Sequence, residues 1–211
     1  MKSKLQQLAV AAFALCLGGC VGTSIKQSWK SPAYQGGPVK KVAVLAVDDR
    51  GQVRLALENR FVRDMRQEGQ EALPTHNLLA LPDIKTDKEA AAASFRAAGA
   101  DTILVVRLLN QTTYTRTVAA TPQVFVPLVT GYEDVGWYDY YSVAYMDMGV
   151  VWTSTTQDIY LDTSLFDLKT GKRLWSAQTK TVLKDDTDRL AQADLLAAKL
   201  VTALRKDGLV R

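Results

Sequence analysis

The sequence predicts a single α/β domain, with one mixed sheet and three helices in the order β-α-β-α-β-β-β-α. Val42 to Val47 is a continuous apolar run, which is typical of a strand covered on both faces. Two helix-like segments, separated by one short strand, follow this run. Near the carboxyl end, two β-rich runs flank a short turn and predict an antiparallel hairpin.

The first helix is predicted by apolar residues at intervals of four. Val53, Leu57, Phe61 and Met65 share one side, and Gly69 marks the stop. An amphipathic helix of this kind covers one face of a sheet.

A second helix is predicted after a short strand around residues 76–81. Thr86 and Glu89 have the spacing of a capping box, and the alanine-rich segment 90–98 ends at Gly99. The small side chains indicate that this helix lies close to the element packed against it. The strand that follows, Ile103 to Val106 with a polar continuation over 110–117, is expected to lie parallel to the first strand, because a helical crossover connects them.

The late hairpin is predicted over residues 159–168 and 173–182, and Trp175 on its second strand is expected in the core. A closing helix follows Asp185, Asp186 and Thr187, which are residue types that cap helices. Its apolar positions are Leu190, Leu195, Leu196, Leu200, Val201 and Leu204.

Residues 1–19 are predicted to be an export signal. Lys2 and Lys4 precede ten apolar residues, Leu8 to Leu17. No later stretch approaches the roughly 20 apolar residues of a spanning helix, so the mature chain is not expected to cross a bilayer.

The motif Leu17-Gly18-Gly19-Cys20 resembles the lipobox of bacterial lipoproteins, although Gly18 departs from the usual residue. The resemblance implies cleavage before Cys20, a diacylglycerol on its thiol and an acylated amino end, which together make a stable anchor. Val21 resembles the class sorted to the outer membrane, at its periplasmic face. The alternative is an ordinary secretory signal that contains Cys16 and Cys20.

Residues 20–40 are predicted to be a lipidated tether, and 41–211 a single domain with an insertion at 117–157. Trp29 and Tyr34 in the tether either pack on the domain or are solvated. The mature chain has a formal charge of +2 and no basic cluster, which argues against nucleic acid as a partner.

The sequence does not predict an enzyme, a cofactor or a metal site. The chain has one histidine, His76, interpreted as a solvated or hydrogen-bonded residue at a strand edge. The pair Asp185-Asp186 suits a cap, and Asp48 and Asp49 suit a turn. Because ligand sites form at strand exits of α/β sheets, Asp48 and Asp49 also remain candidates for binding.

The segment 117–157, called the excursion below, has no Lys or Arg, four acidic residues and eight of the seventeen aromatic residues. Three interpretations are open: a hairpin that packs its own rings, a binding surface, and insertion among lipid headgroups, which the acidic residues disfavour. The residues predicted for a binding surface are Tyr132, Trp137, Tyr138, Tyr140, Tyr141 and Tyr145.

Several motifs together resemble a family of small bacterial envelope lipoproteins: the lipobox, Trp29 and Pro32 before the first strand, Gly99-Ala100-Asp101, and the hairpin Leu168 to Ser176. More distantly the chain is similar to the fold of the TolB amino-terminal domain and of accessory lipoproteins in curli secretion, exopolysaccharide export and peptidoglycan synthase activation. The resemblance implies a noncatalytic scaffold or adaptor.

The expected function is therefore a membrane-anchored envelope module that binds a protein partner or self-associates through the excursion. The alternative is an enzyme acting on envelope glycans with carboxylates such as Glu133 and Asp139, since glycosidases use paired acids.

Overall fold

The computed structural model describes residues 22–114, 156–184 and 189–211. These residues form six strands, four α-helices and a 3-10 helix at Thr75–Asn77. In chain order the elements are β1 (Thr23–Lys30), β2 (Lys41–Val47), α1 (Gly51–Gln67), β3 (Glu71–Pro74), α2 (Leu81–Thr86), α3 (Lys88–Ala97), β4 (Thr102–Tyr114), β5 (Thr156–Asp167), β6 (Arg173–Lys184) and α4 (Arg189–Lys206).

The strands form one mixed sheet in the order β1-β6-β5-β4-β2-β3. β2 runs parallel to both β3 and β4, while β4, β5, β6 and β1 pair antiparallel. The predicted mixed α/β class, the parallel pairing of β2 with β4 and the hairpin of β5 with β6 are confirmed. The described sheet has one strand more than predicted, and α2 is an additional short helix.

The sheet has a hydrophobic core on each face. On the first face α1 and α4 pack through Phe61, Met65 and Leu200. On the second face α2 and α3 pack through Ile84 and Phe95. β2 contributes alternate residues to both cores, which explains its continuous apolar run.

The predicted tether, residues 20–40, contains an edge strand instead. β1 pairs with β6 along Thr23 to Lys30, with an irregularity between Ile25 and Gln27. Trp29 is half-buried, and Tyr34 packs against the first core. The prediction missed β1 because an edge strand that faces solvent alternates weakly and carries lysines and a bulge, which protect edges from further pairing.

The strand predicted around residues 76–81 lies earlier, at Glu71–Pro74. Pro74 ends it, and His76 belongs to the 3-10 helix. The capping residue of α3 is Asp87 rather than Thr86, because its side chain accepts a hydrogen bond from Ala90 N at 2.9 Å. Gly69 lies in the left-handed region at φ 81°, as expected of a helix stop.

One end of the sheet, called the closed end below, holds the β5–β6 turn, the start of β2 and the carboxyl terminus. Trp175 is fully buried there, as predicted, and its Nε1 donates to Asp207 Oδ2 at 2.7 Å. Val39 N donates to Leu209 O at 2.9 Å, which ties the residues before β2 to the last residues of the chain. The closed end is therefore held together by apolar packing and hydrogen bonds.

The opposite end, called the anchor end below, is where β1 starts, β2 and β6 finish, and α1 and α4 begin. β4 finishes and β5 starts here as well, so the two described boundaries of the excursion share this end. Because β5 begins at Thr156, the last two residues predicted for the excursion belong to the sheet.

Candidate functional site

An apolar cleft opens on the first face of the sheet at the anchor end. β4, β5 and β6 have 13, 12 and 12 residues, whereas β2 has only seven, so the three longer strands continue past the end of β2. The first turns of α1 and of α4 form its walls. Its volume is about 420 Å³, within the range of roughly 300–1,000 Å³ typical of small-molecule sites.

The floor of the cleft comes from alternate residues of three neighbouring strands. An irregularity between Leu108 and Asn110 shifts the pairing of β4 with β5, so that Gln111 shares the face of Leu108. The two walls and the floor are mainly aliphatic. The apolar lining residues are Val47, Val53, Ala56, Leu57, Val106, Leu108, Ile159, Leu161, Leu183, Ala193 and Leu196.

The charged residues that border the cleft are paired. Arg50 donates through Nη2 to Asp48 Oδ2 at 2.6 Å and through Nε to Asp48 Oδ1 at 2.9 Å. This hydrogen bond raises the pKa of Arg50, against the opposing effect of burial. Arg107 forms a buried ion pair with Asp162 at 3.5 Å. The cleft therefore presents no uncompensated charge among the described residues that line it.

An ion pair joins the two helical walls. Asp194 of α4 accepts from Arg63 Nη2 at 2.9 Å and lies 2.6 Å from Arg60 Nε, both on α1. Burial alone would raise the pKa of Asp194, but the hydrogen bonds and charges of the two arginines outweigh it, so the pKa is lowered. These contacts fix the two helices beside the cleft.

The polypeptide enters the fold beside the cleft. Thr23 Oγ1 lies 2.7 Å from the hydroxyl of Thr181, which lines the cleft, and Lys199 donates to the carbonyl of Thr23. A Cβ added to Gly22 would lie 4.0 Å from Leu195 Cδ2, so this residue runs against α4. The start of β1 is thus held between β6 and α4.

The histidine takes part in a buried network that joins α1 to the residues after β3. Glu58 is fully buried, and its Oε2 accepts from His76 N at 2.7 Å and lies 2.8 Å from His76 Nδ1. Its Oε1 accepts from Ala46 N, Arg54 Nε and Thr75 Oγ1 at 3.1, 2.8 and 3.0 Å. The prediction of a hydrogen-bonded histidine is confirmed, although it lies in the 3-10 helix rather than at a strand edge.

Toward the anchor end, the second face of β5 and β6 carries polar pairs, whereas Phe166 near the other end of β5 belongs to the second core. Asp158 lies 2.7 Å from Lys180 Nζ, and this hydrogen bond raises the pKa of Lys180 against the effect of burial. Asp158 and Asp162 are 4% and 1% exposed. The two faces of the same strands therefore differ: one lines an apolar cleft, and the other holds ion pairs.

Few of the residues predicted from sequence lie in the described part of the chain. Cys20 lies outside it, as do Asp185 and Asp186, the two candidate carboxylates Glu133 and Asp139, and the predicted interaction residues Tyr132, Trp137, Tyr138, Tyr140, Tyr141 and Tyr145. Asp48 and Asp49 do follow β2 at the anchor end, where Asp48 is occupied by Arg50 and Asp49 is exposed.

The cleft itself was not predicted. The signal that could have revealed it is the unequal length of neighbouring strands. Apolar residues at Ile159 and Leu161 continue beyond the register position of Val47, where β2 has ended.

Across residues 22–114, 156–184 and 189–211, no group of three or more His, Cys, Asp or Glu residues could hold a metal ion. A search of the same residues finds no helix that is long and apolar enough to cross a membrane.

No protein-family model matches this chain, and no curated protein matches it. Among solved structures, a PelC dodecamer from Paraburkholderia phytofirmans is 12% identical with a TM-score of 0.48, covering 90% of this chain and 99% of that chain. Lipoprotein GNA1162 from Neisseria meningitidis is 10% identical with a TM-score of 0.41, covering 79% and 99%. A PDZ domain protein from Parabacteroides distasonis is 12% identical with a TM-score of 0.46, covering 95% and 40%. At these values the likeness assigns neither a family nor an activity to this chain.

Proposed function

We propose that the chain is a lipid-anchored accessory protein of the bacterial envelope, which works as a noncatalytic binding or assembly module at the periplasmic face of the outer membrane. The lipid is attached at Cys20, and Val21 directs the protein to the outer membrane. A protein partner or a second copy is bound at the anchor end.

The observation that carries the proposal is the short distance between the predicted lipidation site and the sheet. Only Val21 and Gly22 separate Cys20 from Thr23, the first residue of β1. Three residue steps of fully extended chain span about 10 Å. A lipid on Cys20 therefore holds the folded domain against the membrane, with the anchor end facing it.

The position of the excursion supports a binding role at that same end. Its described boundaries, Tyr114 and Thr156, are paired in the sheet register at the anchor end. The segment between them therefore begins and ends at the end of the sheet where the proposed lipid anchor lies. Tyrosine and tryptophan give large contact areas at low entropic cost, which suits an interface.

A noncatalytic role is supported by the contacts of Asp48, Glu58 and His76. Glu58 and His76 bind each other and the backbone, and Asp48 binds Arg50. Each group thereby serves a structural contact rather than facing the cleft as a free acid or base. The function proposed is therefore attachment and recognition rather than group transfer.

Detergent phase partitioning of Cys20→Ser tests the anchor. The wild type should enter the detergent phase and the variant the aqueous phase, since two or three acyl chains are lost. Cys16→Ser is the matched control, because it changes a cysteine in the predicted signal and should behave as the wild type. Recovery of Cys20→Ser in the detergent phase at the wild-type level would contradict the proposal.

A further inference from the structure

We propose that the apolar cleft at the anchor end holds one acyl chain of the lipid on Cys20. This inference rests on the lipid anchor of the proposed function and adds a second role for that lipid. Part of the lipid inserts into the bilayer, and one chain folds back to cover the cleft of its own protein.

The chemistry of the cleft fits a hydrocarbon chain. Its lining is mainly aliphatic, and the side chains of Leu108, Ile159 and Leu161 continue one apolar face along neighbouring strands. The charges at its border are already paired, Asp48 with Arg50 and Arg107 with Asp162. These described charges compensate one another, and an alkyl chain requires no charged partner.

The place where the polypeptide joins the sheet indicates that the acyl chain comes from the lipid on Cys20. Thr23 contacts Thr181, a residue of the cleft lining, and Gly22 runs against Leu195 of α4. Cys20 is three residue steps before Thr23, so the Cα atoms of these two residues are at most about 10 Å apart. An acyl chain attached there is held at high effective concentration, because the attachment makes the contact intramolecular.

The hydrophobic effect gives the reason for occupancy. In the described part of the chain, Ile159 and Leu161 of the aliphatic lining are only half-buried, and exposed apolar surface favours an apolar group that covers it. A triacylated cysteine has more than one chain, so one chain can leave the bilayer while the others maintain the anchor. The bilayer interior and the cleft are similar environments for hydrocarbon. The free energy of moving one acyl chain between them is therefore close to zero.

Photocrosslinking in intact cells tests the proposal. Cells that express the full chain are fed a palmitate analogue with a diazirine near its methyl end, irradiated, and the protein is digested for mass spectrometry. We expect the label on Cys20 to crosslink to its own chain, at peptides that contain residues 53–57 of α1 or 192–196 of α4.

A pair of variants on one helix controls for chance contacts. Ala193→Phe places a ring in the cleft, whereas Ala198→Phe places the same ring on an exposed position of α4. Ala193→Phe should reduce the intramolecular crosslink at least about tenfold, because the ring removes the apolar surface that binds the chain. Ala198→Phe should leave it unchanged. The mapped crosslinks of the wild type decide the question even if Ala193→Phe does not fold.

Each other outcome overturns the proposal in a distinguishable way. Label on Cys20 that crosslinks only to membrane lipids means that the cleft is empty of this chain, while the lipid anchor stands. Crosslinks from the cleft peptides to labelled phospholipid, seen equally in Cys20→Ser, mean that a bilayer lipid is the occupant. Crosslinks from the cleft to a second copy or another protein exclude the acyl chain. Absence of label on Cys20 removes the anchor and the inference together.

Discussion

The two ends of the sheet are built differently, although the same strands pass through both. At the closed end of β5, Leu165 is fully buried between β4 and β6. Six residues earlier on the same face, Ile159 is only half-buried and lines the cleft. Both residues point to the same face of β5. Their different burial therefore comes from the elements that cover the strand at each end.

Among the described residues, Leu165 and Trp175 at the closed end are fully buried, whereas Ile159 and Leu161 at the anchor end are half-buried. At the closed end, Trp175, Asp207 and Leu209 bring the late hairpin, the last helix and the carboxyl terminus into one packed and hydrogen-bonded cluster. At the anchor end, the helices α1 and α4 meet through the ion pairs of Asp194. The partly exposed apolar residues of the described cleft lie beside these ion pairs.

The largest effect is expected from Trp175→Ala. The ring is fully buried and its indole N–H donates to Asp207, so truncation should lower the free energy of unfolding by about 3–5 kcal/mol. Chemical denaturation of the unlipidated protein measures it. Trp29→Ala, on the edge strand, removes a half-buried tryptophan and should cost clearly less. Equal losses would mean that the closed end has no special part in stability.

A pair of variants on β5 sharpens the comparison within one strand. Leu165→Ala removes a fully buried side chain and should cost about 2–5 kcal/mol, whereas Ile159→Ala should cost about 1 kcal/mol because part of its surface is already in water. Denaturant titrations of the two variants give the difference directly. A cost for Ile159→Ala as large as that for Leu165→Ala would show that the cleft is closed in solution.

The sequence predicted the closed end better than the anchor end, for a physical reason. Val42 to Val47 and Trp175 are identifiable because complete burial leaves a continuous apolar run or a lone tryptophan in a hairpin. Gly69 is identifiable because its positive φ disfavours other residues. Signals of this kind depend only on residues close in sequence, so they can be recognised without knowing which elements pack together.

β1 and the cleft were missed because they depend on partners distant in sequence. β1 is recognised as a strand only through its register with β6, about 150 residues away, and Lys26 and Lys30 on it are typical of a solvated segment. The cleft depends on β2 ending before its neighbours. Neither feature leaves a local periodicity.

A smaller effect is expected from the ion pair across the helical walls. Since the pKa of Asp194 is lowered in the folded state, its stabilisation is present above its ordinary pKa of 3.8 and is lost as the pH falls through the lowered value. The carboxylate side chain is 41% exposed, so the contribution should stay below about 1 kcal/mol. Asp194→Asn should therefore be less stable than the wild type at neutral pH and equal to it in strong acid, by denaturant titration. A difference that persists in strong acid would assign the effect to something other than the charge.

The smallest effect on stability is expected from the excursion. Replacing Trp137, Tyr138 and Tyr141 with serine should leave the melting temperature nearly unchanged, because the described strands and helices already form two cores. Crosslinking to a partner or to a second copy in intact cells should be lost. A triple variant that is unfolded by circular dichroism would place these rings in the core and remove the main support for a binding surface.

The central claim is that the lipid holds the anchor end against the membrane, and iodide quenching of a fluorescent label tests it most directly. Gln52→Cys carries the label at the anchor end and Lys172→Cys at the closed end, both at exposed positions. The chain offers no competing thiol after cleavage and lipidation. On vesicles, the lipidated protein should show strong protection of the label at residue 52 and free quenching at residue 172, and Cys20→Ser should lose the protection. Equal quenching of the two labels in the lipidated protein would contradict the account.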